Sequence, residues 1–453
     1  MQVAMTVGAL VLVTAIGGGP SPAAADDGRR LLEVECAMLD DVLNAIAKQL
    51  DPLQLMIKVL HVLSFDDVCA LGVKLSLGGL DDLVGELLKI VGVVALHYDP
   101  LASLTPIDPI SSVLGPPEAY NWGLAQILVP AVYADNWRGS GVTVAIVDTG
   151  IDPSHLDFKK NSLSRITNGF NAVAEEGGGC NGGSKEGDYR DRHGHGTHMA
   201  GIIAAAVNGE GIIGAAPEVN LVAVKVLNQN AQGYLSDFLC GLQWVYNQNV
   251  RLVNISVGFW NDKVLLKRAI ESLFQKHVIM IAAAGNKSTS TDPSCVSGVE
   301  GGGVDDGGGD GEEESISCDP SSDDVMFPAA YNSWVIGVAA TKYNDQEQPE
   351  QTQITYYTRH DAGITVAAPG GERTGQRILS TRPGNSYGLS SGTSQATAHV
   401  TGAVALALNK TPDLTFLEVR DHLQDTAWDL ANYTGQQQYL KLINAHAFVE
   451  SVP

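Results

Sequence analysis

Three short blocks in this 453-residue chain carry side chains suited to nucleophilic acyl transfer. They read Val-Ala-Ile-Val-Asp-Thr-Gly over 144–150, His-Gly-His-Gly-Thr-His-Met-Ala-Gly over 193–201, and Ser-Ser-Gly-Thr-Ser-Gln-Ala-Thr-Ala-His-Val over 390–400. A serine hydroxyl is a weak nucleophile at neutral pH and needs a base to take its proton. The base needs a carboxylate to fix its tautomer and steady its cation. Ser394, His195 and Asp148 suit these three roles. Ser394 follows Gly392-Thr393, where glycine permits a tight entry and a helix amino end favours developing negative charge. Singly, an aspartate before Thr-Gly reads as a turn residue and a serine at a helix start as a cap. Jointly, in this order, coincidence is a poor account of them.

The elements around the blocks would bring them together. Strand-like apolar runs (142–148, 220–227, 250–257, 278–285, 333–341, 364–369) alternate with helical segments (196–207, 235–248, 263–277, 394–409, 415–427). Runs apolar on both faces between helices predict an α/β fold: a mostly parallel, doubly wound sheet with helices on both faces. Ligands of such sheets sit at the carboxyl ends of the strands. Asp148 ends one strand, Asn286 follows another, and His195 and Ser394 open helices, so all four point to one rim.

Ahead of this pattern the chain reads differently. Residues 1–25 resemble a secretory signal, with an apolar run over 3–16 and a small-residue cleavage site at Ala23-Ala24-Ala25, although no Lys or Arg precedes the run. The run is too short to span a bilayer, and no later stretch reads as transmembrane. The protein is expected to be secreted, which suits its six cysteines. Residues 26–100 follow the order β-α-β-β-α-β, a small α+β ferredoxin-like unit. The strands are expected at Leu31–Cys36, Leu55–Leu63, Val68–Ser76 and Val93–Tyr98, and the helices at Met38–Leu50 and Leu80–Ile90. The first and third strands of that arrangement are neighbours, so Cys36 and Cys69 are expected to pair. Residues 101–117, rich in Pro and Ser, read as a linker, and 118–453 as the large domain. The net charge of −23 argues against a nucleic-acid partner. Ten acidic residues and no basic one fall in 299–324, the composition of a solvated loop.

The three blocks resemble those of the subtilase family of serine endopeptidases, over a match from about Glu118 to the C-terminus. The resemblance implies the triad Asp148, His195 and Ser394. The family pattern His-Gly-Thr-His places the base first, which selects His195 over His193 (an exposed loop residue) and His198. His198 and His399 are read as structural. The resemblance also makes Asn286 and the Ser394 N–H the donors to the oxyanion. It assigns Ser256, Val257, Gly258 and Gly285 to substrate binding and makes Phe327-Pro328 a cis turn. It further implies a structural Ca2+ held by Glu118, Asp157 and Asn208 with carbonyls of Ala206, Glu210 and Ile212. Two residues beside the nucleophile depart from the pattern, Gln395 for the usual Met and Ala398 for the usual Pro.

On this resemblance the 26–100 unit is a propeptide, both intramolecular chaperone and inhibitor, cut between Tyr98 and Glu118. The expected protein is a monomeric zymogen acting on polypeptides, with no cofactor needed for chemistry. Two alternatives stand beside it: a self-processed, propeptide-capped binding protein, and a transpeptidase in which an amine replaces water. Cys295 and Cys318 bracket the acidic tract, leaving Cys180 and Cys240, but four cysteines allow three connectivities. Asn409 and Asn432 head possible glycan sequons.

Overall fold

The structure is a computed structural model that describes residues 29–46, 57–65, 68–75, 93–103, 111–113, 118–180, 188–287, 323–344, 348–361, 363–430 and 440–453. The expected signal segment, the expected helix Leu80–Ile90, Cys295, Cys318, Asn432 and most of the acidic tract lie outside the described residues.

Strands Arg29–Val34, Ile57–Phe65, Val68–Leu75 and Val93–Tyr98 form one antiparallel sheet, ordered second, third, first, fourth. That is the order the β-α-β-β-α-β pattern predicts. Val34 lies opposite Cys69, and Cys36, just beyond it, forms a disulfide with Cys69. The helix Leu39–Ala45 covers one face, its Val42 packed against Leu32, Leu71 and Val73.

The large unit is built on a nine-stranded sheet. In spatial order its strands are Ile166–Asn171, Asn220–Lys225, Thr143–Asp148, Leu252–Ile255, Ile279–Ala283, Val335–Thr341, Ile364–Pro369, Lys441–Leu442 and Trp428–Asp429. All neighbours run parallel except the last pair. The strand Thr143–Asp148 shows why its sequence is apolar throughout. Val144 and Ile146 enter one core with the helices His195–Ala204 and Thr393–Lys410. Ala145 and Val147 enter a second core with the helices Leu235–Asn247 and Val264–Gln275. Alternate side chains of a strand point to opposite faces, so both faces must be apolar when both are covered.

The small unit docks on the second of these faces. Leu31, Leu63, Phe65 and Ala70 join Phe238, Leu239 and Leu242 in one buried cluster. Around them lies a buried polar group. Asp99 accepts from the Ser236 N–H (2.9 Å) and hydroxyl (2.6 Å), satisfying an amide of the first turn of the helix Leu235–Asn247. Asp237 receives Arg29 Nη1 at 3.3 Å and lies 2.9 Å from His61 Nε2. The stretch read as a linker is partly ordered as strand. Leu101–Ser103 pairs antiparallel with Gln232–Tyr234, and Ser111–Val113 with Tyr387–Leu389.

Candidate active site

Asp148, fully buried, ends its strand beside Lys225 of the neighbouring strand. Its carbonyl accepts from Val226 N at 2.9 Å, and its carboxylate Oδ1 accepts from Thr149 N at 2.7 Å. Both carboxylate oxygens approach Nδ1 of His195, at 2.7 and 2.8 Å. A carboxylate there holds the proton on Nδ1 and leaves Nε2 as the basic nitrogen. Nε2 is buried and has no hydrogen-bond partner in the structure.

Two glycines permit this approach. A methyl group on Gly196 would lie 2.1 Å from the Gly150 carbonyl and 3.1 Å from Asp148 Cβ, so only glycine lets the helix start against the strand end. Gly150 itself has φ +103°, a conformation that L residues rarely adopt.

Asp191 belongs to none of the three sequence blocks. Nearly fully buried, its Oδ1 accepts from the Thr149 hydroxyl, His193 N and Gly194 N, and its Oδ2 from Thr197 N and Oγ1, all at 2.7–2.9 Å. It satisfies N–H groups at the amino end of the His195 helix, where negative charge is favoured, and ties them to the residue after Asp148. Sequence reasoning missed it, although a signal was present: an acidic residue just before a helix start, with a threonine in its first turn. Lys225 completes the support from below, donating from Nζ to the carbonyls of Thr149 (2.9 Å) and Leu227 (2.7 Å). Burial pushes its amine below the usual range, against the pull of Glu176 at 3.4 Å.

Ser394 is the second residue of the helix Thr393–Lys410 and is 7 % exposed. No hydrogen bond joins its Oγ to His195 Nε2 in the structure. Such catalytic bonds often tighten only with substrate bound. Asn286 reaches the same helix start. Its Oδ1 accepts from Thr393 N (3.0 Å) and Oγ1 (3.1 Å), and Thr393 Oγ1 accepts from Gly285 N (3.2 Å). Because Thr393 N can only donate, this bond identifies the oxygen of the amide and leaves Nδ2 as a donor beside Gly392. Asn254, in the strand Leu252–Ile255, links Ser256 Oγ (3.0 Å) with Thr401 of the Ser394 helix (2.9 Å).

The other histidines are placed differently. His198 is fully buried, its Nε2 3.1 Å from the Gly388 carbonyl, and burial pushes its pKa down to about 3. His399 sits between the Gln395 carbonyl (2.8 Å) and Asn121 Oδ1 (3.1 Å), and burial lowers it to about 4. His193 is partly buried rather than exposed, because Asp191 draws its backbone into the turn. Gln395 is buried with its Nε2 unpartnered and its Oε1 against Gly392, and Ala398 continues the helix.

Ser256, Val257, Gly258 and Gly285 line one slot beside Ser394. The peptide Phe327–Pro328 behind it is cis. On the opposite side of the His195 helix, Glu118 Oε1 accepts from Asn208 N (2.6 Å) and Gly209 N (2.7 Å), and Asp157 Oδ1 accepts from Asn208 Nδ2 (2.9 Å). Asn208 Oδ1 accepts from Glu210 N, Ala206 N donates to the Asp157 carbonyl, and Ile212 N lies 3.5 Å from Asp157 Oδ2. Glu118 and Asp157 thus both reach the loop that follows the His195 helix. Asn409 is engaged in packing, its Nδ2 donating to the Ser140 carbonyl. Cys180 and Cys240 form a disulfide.

Residues 139–443 match the model of the subtilase family. The chain is 32% identical over 354 residues to subtilisin amylosacchariticus of Bacillus subtilis subsp. amylosacchariticus, covering 78% of this chain and 76% of that one. It is 30% identical over 376 residues to an alkaline protease of Alkalihalobacillus alcalophilus (83% and 78%) and 32% identical over 328 residues to a subtilisin of Bacillus pumilus (72% and 97%). With the fold, the buried Asp148–His195 pair and a serine at a helix amino end, the chain belongs to the subtilase family of serine peptidases.

Proposed function

We propose that the protein is a secreted serine endopeptidase, made as a zymogen, that hydrolyses polypeptides through an acyl-enzyme on Ser394. The observation that carries this reading is the bond from Asp148 to His195 Nδ1, which leaves Nε2 free to act as a base. In acylation, Ser394 Oγ attacks the carbonyl carbon while Nε2 takes its proton. The carbonyl electrons move to oxygen, where Asn286 Nδ2 and the Ser394 N–H donate. Collapse of the intermediate expels the amine, which takes the proton from His195. Water then enters by the same route in reverse and releases the acid.

Substrate would lie extended against Ser256, Val257 and Gly258, pairing through its backbone. The segment between the two units supports the zymogen reading. Leu101–Ser103 is paired on the Gln232–Tyr234 side and Ser111–Val113 on the strand that leads to Ser394, and we place the maturation cut between Tyr98 and Glu118. The docked small unit would act as inhibitor and folding aid.

Glu118, Asp157 and Asn208, with carbonyls of Ala206, Glu210 and Ile212, are the residues that would hold Ca2+. Glu118 and Asp157 bring two carboxylates to the loop that carries Asn208, hard oxygen donors that suit this ion; Asn208 would have to turn its Oδ1, which accepts from Glu210 N, toward it. When bound it would supply charge compensation and stiffen the loop after the His195 helix.

A fluorophosphonate probe should label Ser394 in the mature protein and casein should be hydrolysed. Ser394→Ala should abolish both, with a fall in kcat of about 10⁶-fold, the magnitude known for loss of the triad serine in subtilisin. Equal activity of that variant refutes the assignment. Retention of the small unit without labelling supports the binding-protein alternative, and product mass spectrometry separates hydrolysis from transfer to an amine.

A further inference from the structure

The slot beside Ser394 has an unusual floor. One wall is the segment Ser256–Gly258 and the other is Ala283–Gly285. At Gly258 and Gly285 the walls carry no side chain, which would ordinarily leave a deep slot between two backbones. Met326 fills that depth. A methyl group on Gly258 would lie 3.1 Å from both Cβ and Cε of Met326, and one on Gly285 would lie 2.5 Å from its Sδ. The methionine side chain therefore spans the gap from wall to wall.

Met326 is also held in place. It is 3 % exposed, and its N–H donates to the Ala284 carbonyl at 3.0 Å. Its neighbour Phe327 exchanges two backbone hydrogen bonds with Phe259, at 2.8 and 2.9 Å. The residue is thus bonded to one wall directly and to the other through the next residue. A methionine can change rotamer more readily than a branched side chain, but here the two backbones it touches are the walls of the slot. Among the described residues none that lines the slot is charged.

We infer that Met326 restricts the residue whose carbonyl is attacked to small, uncharged side chains such as Gly, Ala or Ser. This inference rests on the reading of Ser394 as the nucleophile and deepens it by naming a substrate class. A larger side chain entering the slot meets the thioether before its own carbonyl reaches Ser394. The penalty falls on the step that positions the carbonyl, so it appears in kcat/KM.

The test uses the mature enzyme, titrated with a fluorophosphonate to count active Ser394. It is offered succinyl-Ala-Ala-Pro-Xaa p-nitroanilides with Xaa as Ala, Phe or Leu. Wild type is expected to favour Ala over Phe by at least about tenfold in kcat/KM, since a poorly fitting apolar group in a pocket costs about 1–3 kcal/mol. Met326→Gly should move the Ala to Phe ratio toward Phe by about thirtyfold or more, with Met326→Ala moving it in the same direction by less. The wild-type ratio decides the matter even where a variant fails to fold. A wild type that titrates fully and cleaves after Phe or Leu as well as after Ala overturns the inference and leaves the nucleophile intact. A chain that neither titrates nor cleaves overturns the reading of the site, and the inference with it.

Discussion

The two units of the molecule bury ionisable groups to opposite effect. In the large unit, His198 and His399 are enclosed by apolar packing and remain neutral, with pKa values lowered to about 3 and about 4. At the docking face of the small unit, burial raises the Asp99 carboxyl to about 7, despite two hydrogen bonds from Ser236 and the nearby Arg29. Asp237 in the same cluster moves the other way. Burial would raise it, but the His61 hydrogen bond and the charges of His61 and Arg29 together bring it below the usual range. A buried imidazole that stays neutral costs stability in acid, whereas a buried carboxyl that prefers its proton costs stability in base. Over about pH 4 to 7 the His399 and Asp99 contributions therefore act in opposite senses, the first lost as pH falls and the second as pH rises.

One expected effect concerns the large unit. His399 binds its proton at about pH 4 when folded and at 6.5 in an unfolded chain. As pH falls from 6.5 toward 4 the unfolded state takes up a proton that the folded state refuses, so stability is lost over that window. The loss is about 3 kcal/mol for this residue, from roughly 1.4 kcal/mol per pKa unit. His399→Gln in the Ser394→Ala background should be less stable at pH 8. It should lose about 3 kcal/mol less on acidification, read by urea unfolding. An unchanged acid slope would remove His399 from the comparison.

Calcium would sharpen the contrast by reinforcing only the large unit. At a concentration a hundred times Kd, a bound ion adds about 2.7 kcal/mol of stability. Excess EGTA should lower Tm and speed autolysis, and Asp157→Asn should make Tm indifferent to calcium. A wild-type Tm unmoved by EGTA would count against the site. A further effect lies at the docking face. Asp99 has pKa about 7 docked and an ordinary value near 3.9 when released, so docking takes up a proton between pH 4 and 7 and weakens as pH rises through that range. In the uncleaved Ser394→Ala chain, exchange protection of the Leu235 and Ser236 amides, which bond to Pro100 and Asp99, reports the docked state. Corrected for intrinsic rates, it should fall by up to about tenfold per pH unit between 5 and 7, and Asp99→Asn should flatten the slope.

Much of this architecture was legible in the sequence because the two periodicities are strong where both sheet faces are covered. Six strands and five helices of the large unit stand at or close to the positions that apolar patterning indicates. The edge strand Ile166–Asn171 leaves no such pattern because Ile-Thr-Asn-Gly-Phe-Asn contains residues poorly suited to strands, and its pairing is supplied by Asn220–Lys225. The hairpin Ile378–Arg382 with Ser386–Ser390 was hidden by its polar, serine-rich composition. For the site, the blocks themselves displayed Asp148, His195 and Ser394. Lys225 and Met326 did not stand out, since Lys225 reaches Thr149 and Met326 packs against Gly258 and Gly285, all remote in sequence, whereas the local signal of Asp191 ahead of its helix went unread.

The carboxylate of Asp191 has a consequence for how such a molecule can diversify. It gathers the turn after Asp148 and the first turn of the His195 helix on a single side chain. The spacing of acid and base is thereby decoupled from the length of chain between Asn171 and Asp188. A change in that stretch that spares buried Ala172 and Val173, the Glu176 partner of Lys225 and the disulfide-bonded Cys180 would not retune the chemistry, making it an apt point for grafting new surface contacts.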